Sequence, residues 1–398
     1  MRMLKSALKM TIQLIWLVKF RIETYFLPGF LRRSKRLVVF NLDLHVSVIS
    51  DLSDQFARRT FRLVRWSISS HNFVFRKVFK IPDPVEFVNQ NNWRNLNPIS
   101  IGRFNNQYKG VLQEVDFFVV THTPSFIQIF EKYRKPILCI NSTRYEAPYT
   151  NNAELWTGLN NSIIRGSESG KLTMWSNNKV DQGYLSKIIG VQSELVPSLC
   201  AYVDCRWSPS DKTLIYVAKT DVERALLKEK LGEKWLSAEE GLGKNYKYEK
   251  LASVSAVFFL PYQLSTMSLF ELATMGVPVI VPSAAFLKKL WNEGLPVLSE
   301  ILYAPFEVFR DSLQSRGLEI DWLVNLDWWL DRADFYDAVL MPNVTTVDSF
   351  EEVANLQFPI CNQEWRDRID FRNTSLKQSR ELHFNNFLSR AGISVDQK

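Results

Sequence analysis

The side chains best suited to chemistry in this sequence lie in one short polar segment, where a predicted buried strand gives way to a helix. Ser265, Thr266 and Ser268 stand at the predicted opening of that helix. Glu271 follows about one turn later. The first turn of a helix offers free backbone N–H groups and the positive end of the helix dipole, which together favour a phosphate. A glutamate one turn further in can reach sugar hydroxyls beside that phosphate. A plainer interpretation also stands, in which Ser265 caps the helix and Glu271 is a solvated acid.

A second group of candidates follows predicted strands in the first half of the chain. Strand Leu37–Asn41 is followed by Asp43 and His45, and either could serve as a general base if burial and neighbours hold its pKa near neutrality. His45 fits a purely structural role equally well. Two further polar loops after strands favour a ligand site at the same edge of the sheet. These loops contribute His122, Arg144, Tyr145 and Glu146.

A cation to accompany the phosphate is expected at the carboxyl edge of the second half. Lys219 directly follows a predicted strand, and doubly wound domains place ligands at the carboxyl ends of their strands. It fits an ordinary exposed lysine as well. No Asp-x-Asp triplet occurs in the chain, and Cys200 and Cys205 lack the neighbouring ligands that a zinc site needs. We therefore predict no metal and no resident cofactor.

Length and composition describe an ordinary globular protein. The chain has 398 residues, 46% hydrophobic and 23% charged, with a formal charge of +7. This excludes disordered, collagen-like and low-complexity classes, and the length suggests two domains. Four cysteines are too few for a disulfide framework at this length, so we expect reduced thiols and a cytoplasmic location. The basic excess is modest, and we predict no nucleic-acid partner.

Short apolar runs alternate with segments of helical period, which is typical of βαβ units and parallel sheets. We predict an N-terminal helical and basic segment over 1–36, a Rossmann-like domain over 37–205, a second over 206–300 and a helical extension over 301–398. The extension is expected to hold no strand beyond Ser299 and to return to the first domain. Predicted strands are Leu37–Asn41, Phe61–Ser67, Phe117–Thr121, Ile137–Asn141, Leu172–Ser176, Glu194–Pro197, Thr213–Ala218, Trp235–Ser237, Ala256–Leu260 and Val277–Val281.

The stretch around Glu271 resembles the donor-binding element of GT-B glycosyltransferases. In that family a strand, a polar loop and a helix carrying a glutamate are followed by a G-x-P-V strand, which Gly276-Val277-Pro278-Val279 matches. Glu271 takes the place of the second glutamate of the family's E-x7-E pair, and Gln263 replaces the first. The resemblance implies that Glu271 holds the nucleotide ribose while Ser265, Thr266 and Ser268 approach the diphosphate. Tyr262 is a further donor-binding candidate, and the loops of His122, Arg144, Tyr145 and Glu146 are then candidates for binding the acceptor.

The predicted fold class is therefore α/β of GT-B type, with two doubly wound domains facing a central cleft and a helical cover. The resemblance implies a metal-independent transferase that moves a sugar from a nucleotide-sugar donor to a glycan or other hydroxylated acceptor. Two alternatives stay open: a sugar-nucleotide epimerase or hydrolase on this fold, and a non-catalytic module that binds polysaccharide or nucleic acid.

The apolar run Met10–Val18 is flanked by lysines and arginines and is too short to span a bilayer, where about 20 residues are needed. It predicts either a surface helix packed on the first domain or an interfacial helix on anionic lipid, a peripheral membrane association.

Overall fold

Eleven parallel strands form the framework of the protein within the residues that the structure describes. The computed structural model describes residues 2–33, 36–44, 46–59, 61–69, 82–149, 152–210, 213–243, 246–295, 297–298, 313–314, 317, 319–357 and 361–394, with side chains from residue 10 onward except that of residue 46. The strands are β1 (Leu37–Asp43), β2 (Phe61–Ser67), β3 (Phe117–His122), β4 (Ile137–Asn141), β5 (Leu172–Ser176), β6 (Glu194–Leu195), β7 (Leu214–Val217), β8 (Trp235–Ser237), β9 (Ala256–Phe259), β10 (Val279–Pro282) and β11 (Val344–Val347).

The strands form two sheets that share one strand order. The first sheet runs β2-β1-β3-β4-β5-β6 and the second runs β11-β10-β9-β7-β8. In each sheet the first strand in chain order lies between the second strand, at one edge, and the third strand, toward the centre. Every strand pair is parallel. In such sheets a crevice opens at the carboxyl ends of the first and third strands, where ligands bind. These positions are the ends of β1 and β3 in the first domain and of β7 and β9 in the second.

Helices cover both faces of the sheets and connect their strands. Most are short, and the two longest lie at the beginning and at the end of the described chain. The helices are α1 (Arg2–Arg32), α2 (Val46–Asp51), α3 (Ser53–Ala57), α4 (Pro98–Gln107), α5 (Lys109–Gln113), α6 (Ile127–Phe130), α7 (Ala153–Glu168), α8 (Lys179–Ile189), α9 (Asp221–Leu231), α10 (Ala238–Leu242), α11 (Tyr248–Leu251), α12 (Met267–Met275), α13 (Ala284–Asn292), α14 (Asp321–Val324), α15 (Leu326–Leu330), α16 (Phe350–Asn355) and α17 (Gln363–Arg390). Among these described helices, not one combines the length and the apolar character that crossing a membrane requires.

The last helix, α17, contacts both domains. Its Phe384 and Phe387 are buried against one face of the first sheet, where the Phe387 ring lies 5.3 Å from that of Phe117. Nearer its start, Arg372 donates to the hydroxyl of Thr274 in the second domain at 3.1 Å. Parallel sheets are buried on both faces, so the first sheet needs this cover.

The predicted fold class, two doubly wound α/β domains, is confirmed by the two parallel sheets. The strands β2, β4, β5 and β8 have the predicted bounds, and the other predicted strands differ by a few residues at their ends. Gly276 ends α12 with φ +79°, the left-handed conformation that glycine adopts most easily. The domain boundaries stay a prediction.

Two predictions about elements are wrong. A strand does follow Ser299, because β11 pairs with β10 at the edge of the second sheet. Its threonines are exposed and only Val347 is buried, so the sequence lacks the apolar run of a central strand. The helical spacing of Val46, Ile49, Leu52 and Phe56 predicts one helix over Val46–Arg59. The structure breaks it at Leu52 into α2 and α3, and the Ser53 hydroxyl donates to the carbonyl of Ser50 at 2.6 Å beside the break.

Candidate functional site

A narrow polar cleft, with a cavity of about 20 Å³, lies where the carboxyl ends of the two sheets meet. Three loops line it: residues 142–144 after β4, residues 178–181 after β5, and residues 263–265 after β9. The first two loops belong to the six-stranded sheet and the third belongs to the five-stranded sheet. Arg144 and Ser265, which the sequence assigned to opposite halves of one site, therefore line the same cleft.

The central charged pair of the cleft is Arg144 with Asp181. The Arg144 guanidinium donates to the Asp181 carboxylate, and both side chains are almost completely buried. The guanidinium also lies 4.8 Å from the ring centroid of Trp329 and 5.4 Å from that of Tyr184. A cation held by a carboxylate and two rings has little freedom to move, so Arg144 is positioned before any ligand arrives.

The partner of Arg144 is fixed by a helix cap. Asn178 precedes α8, and its side-chain oxygen accepts from the N–H of Asp181 at 2.7 Å. The amide nitrogen of Asn178 donates to the Asp181 carboxylate, also at 2.7 Å. Asp181 was not predicted as a site residue. The signal that could have found it is the pattern Asn178-Lys179-Val180-Asp181, in which an asparagine cap precedes an acid in the first helical turn.

Asp334 is a second residue that the sequence prediction missed. It comes from the segment between α15 and β11, is 1% exposed, and accepts from the N–H of Lys179 at 3.3 Å. Burial raises the pKa of Asp334 to about 7, although Lys179 and a hydrogen bond with Ser265 lower it. Its other carboxylate oxygen has no hydrogen-bond partner among the described residues. A buried carboxyl that titrates near neutrality beside the cleft can give or take a proton.

Tyr145 and Glu146 support the Arg144 loop from beneath. Both are fully buried. The Tyr145 hydroxyl accepts from the indole N–H of Trp156 at 2.9 Å, and Glu146 accepts from the Tyr184 hydroxyl at 2.6 Å. Burial raises the pKa of Glu146 to about 7. Both residues stay predictions as acceptor ligands, and their visible contacts hold the loop that carries Arg144.

The catalytic candidates of the first domain lie at its topological switch point. Asp43 ends β1, is fully buried, and its two carboxylate oxygens have no hydrogen-bond partner in the described part of the chain. Burial raises the pKa of Asp43 to about 7, Arg65 lowers it and Asp83 raises it further. His122 ends the neighbouring strand β3 with φ +68°, so its backbone is turned out of the extended conformation. His45 lies outside the described residues.

The donor candidates of the second domain include one direct contact. The Lys219 ammonium lies 4.4 Å from the ring centroid of Tyr262. This contact connects the ends of the paired strands β7 and β9 at the switch point of the second sheet. The turn that carries Lys219 is fixed by Glu223, whose carboxylate accepts from the N–H groups of Lys219 and Thr220 at 2.5 and 3.0 Å. Lys219 itself is exposed and is not among the residues that line the cleft.

The opening of α12 faces the first domain. Thr266 is the residue before the helix, and its hydroxyl pairs with that of Ser268 at 3.1 Å instead of capping a backbone N–H. The sulfur of Met267 accepts from the Ser198 hydroxyl at 3.5 Å and from the amide of Asn177 at 3.7 Å. The predicted phosphate-binding turn therefore lies next to the end of β5.

Glu271 is occupied by two tyrosines. Its carboxylate accepts from the hydroxyls of Tyr202 at 2.5 Å and Tyr248 at 2.8 Å. Burial raises the pKa of Glu271, the two tyrosine hydroxyls lower it, and Asp51 raises it. Tyr202 belongs to the segment between the two sheets, so Glu271 links that segment to the second domain. Its predicted contact with a ribose stays a prediction.

No group of three or more metal-ligating side chains occurs within the ranges that the structure describes. Arg144 lines the cleft, and Lys179 belongs to the loop 178–181 beside it. Lys179 pairs with Asp337 on one side of the cleft.

Comparison with known proteins gives structural neighbours only. No protein-family model and no curated protein matches the sequence. Solved structures that it resembles include the glycotransferase of kitacinnamycin (9% identity, TM-score 0.43, 90% of this chain and 100% of that one) and CalG4, the calicheamicin glycosyltransferase (10%, 0.42, 90% and 99%). A third is the wall teichoic acid polymerase TagF (11%, 0.33, 93% and 99%). Similarity this low assigns no activity, so function has to be inferred from the site.

Proposed function

We propose that this protein is a glycosyltransferase that moves a sugar from a nucleotide-diphosphate donor to a hydroxylated acceptor, such as a glycan. The observation that carries the proposal is the cleft itself. Two sheets of one strand order turn their carboxyl edges toward each other, and residues 142–144 and 178–181 face residues 263–265 across it. A reaction between two bound molecules is well served by two ligand-binding edges that face one another.

The second domain is the proposed donor side. The donor candidates come from segments at the ends of β7 and β9 or from α12 and the turn before it. They are Lys219, Tyr262, Ser265, Thr266, Ser268 and Glu271. In this proposal the diphosphate is held by the first turn of α12 and by the Lys219 ammonium. Charge that develops on the departing nucleotide is then stabilised by the Lys219 ammonium and by the positive end of the α12 dipole, without a metal or other cofactor.

The first domain is the proposed acceptor side. Asp43, with a pKa raised by burial to about 7, can accept the proton of an attacking hydroxyl near neutral pH, and His45 is the other candidate. His122 and Arg144 are proposed to position the acceptor, with Tyr145 and Glu146 beneath them. Asp334 adds a third group that can exchange a proton at the cleft.

Donor binding is tested by thermal unfolding of the full chain with UDP, GDP, CDP and their sugars, because a ligand that binds only the folded state raises its stability. Lys219→Ala should weaken binding of the active nucleotide by about 10- to 100-fold, since a charged hydrogen-bond donor to phosphate is removed. The matched control is Lys234→Ala. Lys234 is also exposed, but it precedes β8 and so lies at the amino ends of the strands of the same sheet. Equal affinity in both variants would remove Lys219 from the donor site.

Transfer is tested by incubating the protein with the donor that binds, with and without hydroxylated acceptors. Product that requires an acceptor supports the transferase. Turnover of donor alone would favour the epimerase or hydrolase, and binding of polysaccharide without any donor affinity would favour the non-catalytic module. Failure of every nucleotide to stabilise the protein would contradict the proposed function.

A further inference from the structure

The N-terminal helix α1 has two apolar faces, and only one of them is covered. On the inner face Phe20 and Leu31 are buried, and the Phe20 ring lies 5.3 Å from that of Trp66 in β2. A salt bridge of 2.8 Å between Arg32 and Glu114 also ties the helix to the first domain. The helix is therefore fixed along the side of the domain.

The outer face of α1 carries an exposed apolar stripe. Large apolar residues recur at every fourth position from 10 to 30. At about 100° per residue each step turns the position by about 40°, so the row winds obliquely across the exposed half of the helix. At 1.5 Å per residue this stripe is about 30 Å long. Exposed apolar patches of such size mark interaction surfaces. The stripe consists of Met10, Leu14, Val18, Ile22, Phe26 and Phe30, which are 50% to 66% exposed.

The net positive charge of the protein comes from the same segment. Residues 1–36 contain nine of the 49 basic residues and only one of the 42 acidic residues, Glu23, which gives a formal charge of +8 against +7 for the whole chain. The other residues therefore sum to −1. The segment joins an apolar stripe to basic flanks, and Lys19, Arg32 and Arg33 are exposed beside it.

We propose that the outer face of α1 docks on an anionic membrane surface. The apolar stripe would enter the boundary between head groups and acyl chains, and the basic residues would meet the lipid phosphates, as interfacial helices do. Because the inner face is held by the domain, the helix lies in the plane of the surface. A second copy of the chain is a poorer partner for this face, since it would bring another +8 segment against the first.

The proposal is tested by co-sedimentation of the full chain with vesicles of neutral phosphatidylcholine and with vesicles that also contain anionic phosphatidylserine. Binding to the anionic vesicles, weakened by added salt, is expected. Phe26→Ser should lower the partition coefficient about tenfold, because a large apolar side chain is lost from the interface. The matched control is Phe371→Ser, since Phe371 is also a helical phenylalanine and is 70% exposed against 66% for Phe26. Ile22→Ser provides a second variant of the stripe.

The electrostatic part is tested by replacing Lys19 and Arg33 together with glutamine, which should lower the partition coefficient about 30-fold at about 1 kcal/mol per charge. The control replaces the exposed pair Lys230 and Lys234 in the same way. Equal binding to neutral and anionic vesicles, or equal loss in test and control variants, would overturn the proposal. The proposal would also be overturned if the protein did not bind vesicles and instead formed a dimer that Phe26→Ser disrupts. None of these readouts depends on nucleotide binding, so the proposed function is tested separately.

Discussion

Replacing Asp334 with asparagine should make the protein more stable at alkaline pH. Asparagine has the shape of the carboxyl and its oxygen can still accept from the N–H of Lys179, but it carries no charge. Burial raises the pKa of Asp334 from 3.8 to about 7. The folded protein therefore binds a proton at this site more tightly than the unfolded chain does. The contribution of Asp334 to the free energy of unfolding must then fall as pH rises between about 4 and about 7.

The size of the effect follows from the same shift. A difference of about three pKa units at 1.36 kcal/mol each sets a ceiling of about 4 kcal/mol at pH 8, and relaxation around the charge reduces it. Asp334→Asn should gain up to that amount over the wild type at pH 8. The difference in the free energy of unfolding between Asp334→Asn and the wild type should grow by about 2 kcal/mol between pH 5.5 and pH 8. The reason is that about 1.5 pH units separate pH 5.5 from the folded-state pKa of about 7.

The assay is urea unfolding followed by tryptophan fluorescence at several pH values. Asp337→Asn is the internal control, because Asp337 also contacts Lys179. Burial alone would raise the pKa of Asp337, but the Lys179 ammonium and two backbone N–H groups lower it overall. That variant should lose stability, and the loss should be present at neutral pH. An Asp334→Asn variant with no advantage at pH 8, or with one that does not change with pH, would refute the reasoning. A fall in transfer activity alongside the stability gain would indicate that the acid is kept for function.

Other variants test the remaining groups. Asp43→Asn should lower kcat by roughly 10²–10⁴ with donor affinity unchanged. The wild-type kcat/KM should rise with pH through about 7, where the Asp43 carboxylate forms. A flat pH profile would argue against this role. Arg144→Met should cost about 3–5 kcal/mol in unfolding experiments, since it leaves the buried Asp181 charge unpaired, whereas a loss below 1 kcal/mol would mean that water replaces the arginine. Gly276→Ala should lower the melting temperature, because φ is +79° and a Cβ would lie 3.0 Å from Ile369; an unchanged melting temperature would show that both can adjust.

The sheets could be predicted from sequence because their strands are buried on both faces. β4, for example, is buried at all five positions, and a continuous apolar run of that kind stands out in any sequence. β11 could not be found in this way, because an edge strand of four residues with two exposed threonines has no such run. Its place in the sheet depends on pairing with β10, which local sequence does not record.

The site could be predicted only where its residues follow strands. Arg144 was found because it comes after β4, and Ser265 because it precedes α12. Asp334 was not found, since it follows no predicted strand and lies about 70 residues beyond Ser265, its partner at the cleft. Asp181 was missed because the sequence pattern predicts a helix over Gln182–Ile189, whereas α8 begins at Lys179.

The position of α17 across the first sheet affects how the protein can be made. Phe384, Phe387 and Leu388 close the face of that sheet, and they are synthesised about two hundred residues after β5. At 5–20 residues per second, the ribosome needs roughly 10–40 s to cover that interval. During this time the nascent first domain exposes the apolar face around Phe61 and Phe117. Its folding during translation is thus incomplete until the last helix emerges, and a holdase chaperone that shields this face would raise the yield of native protein.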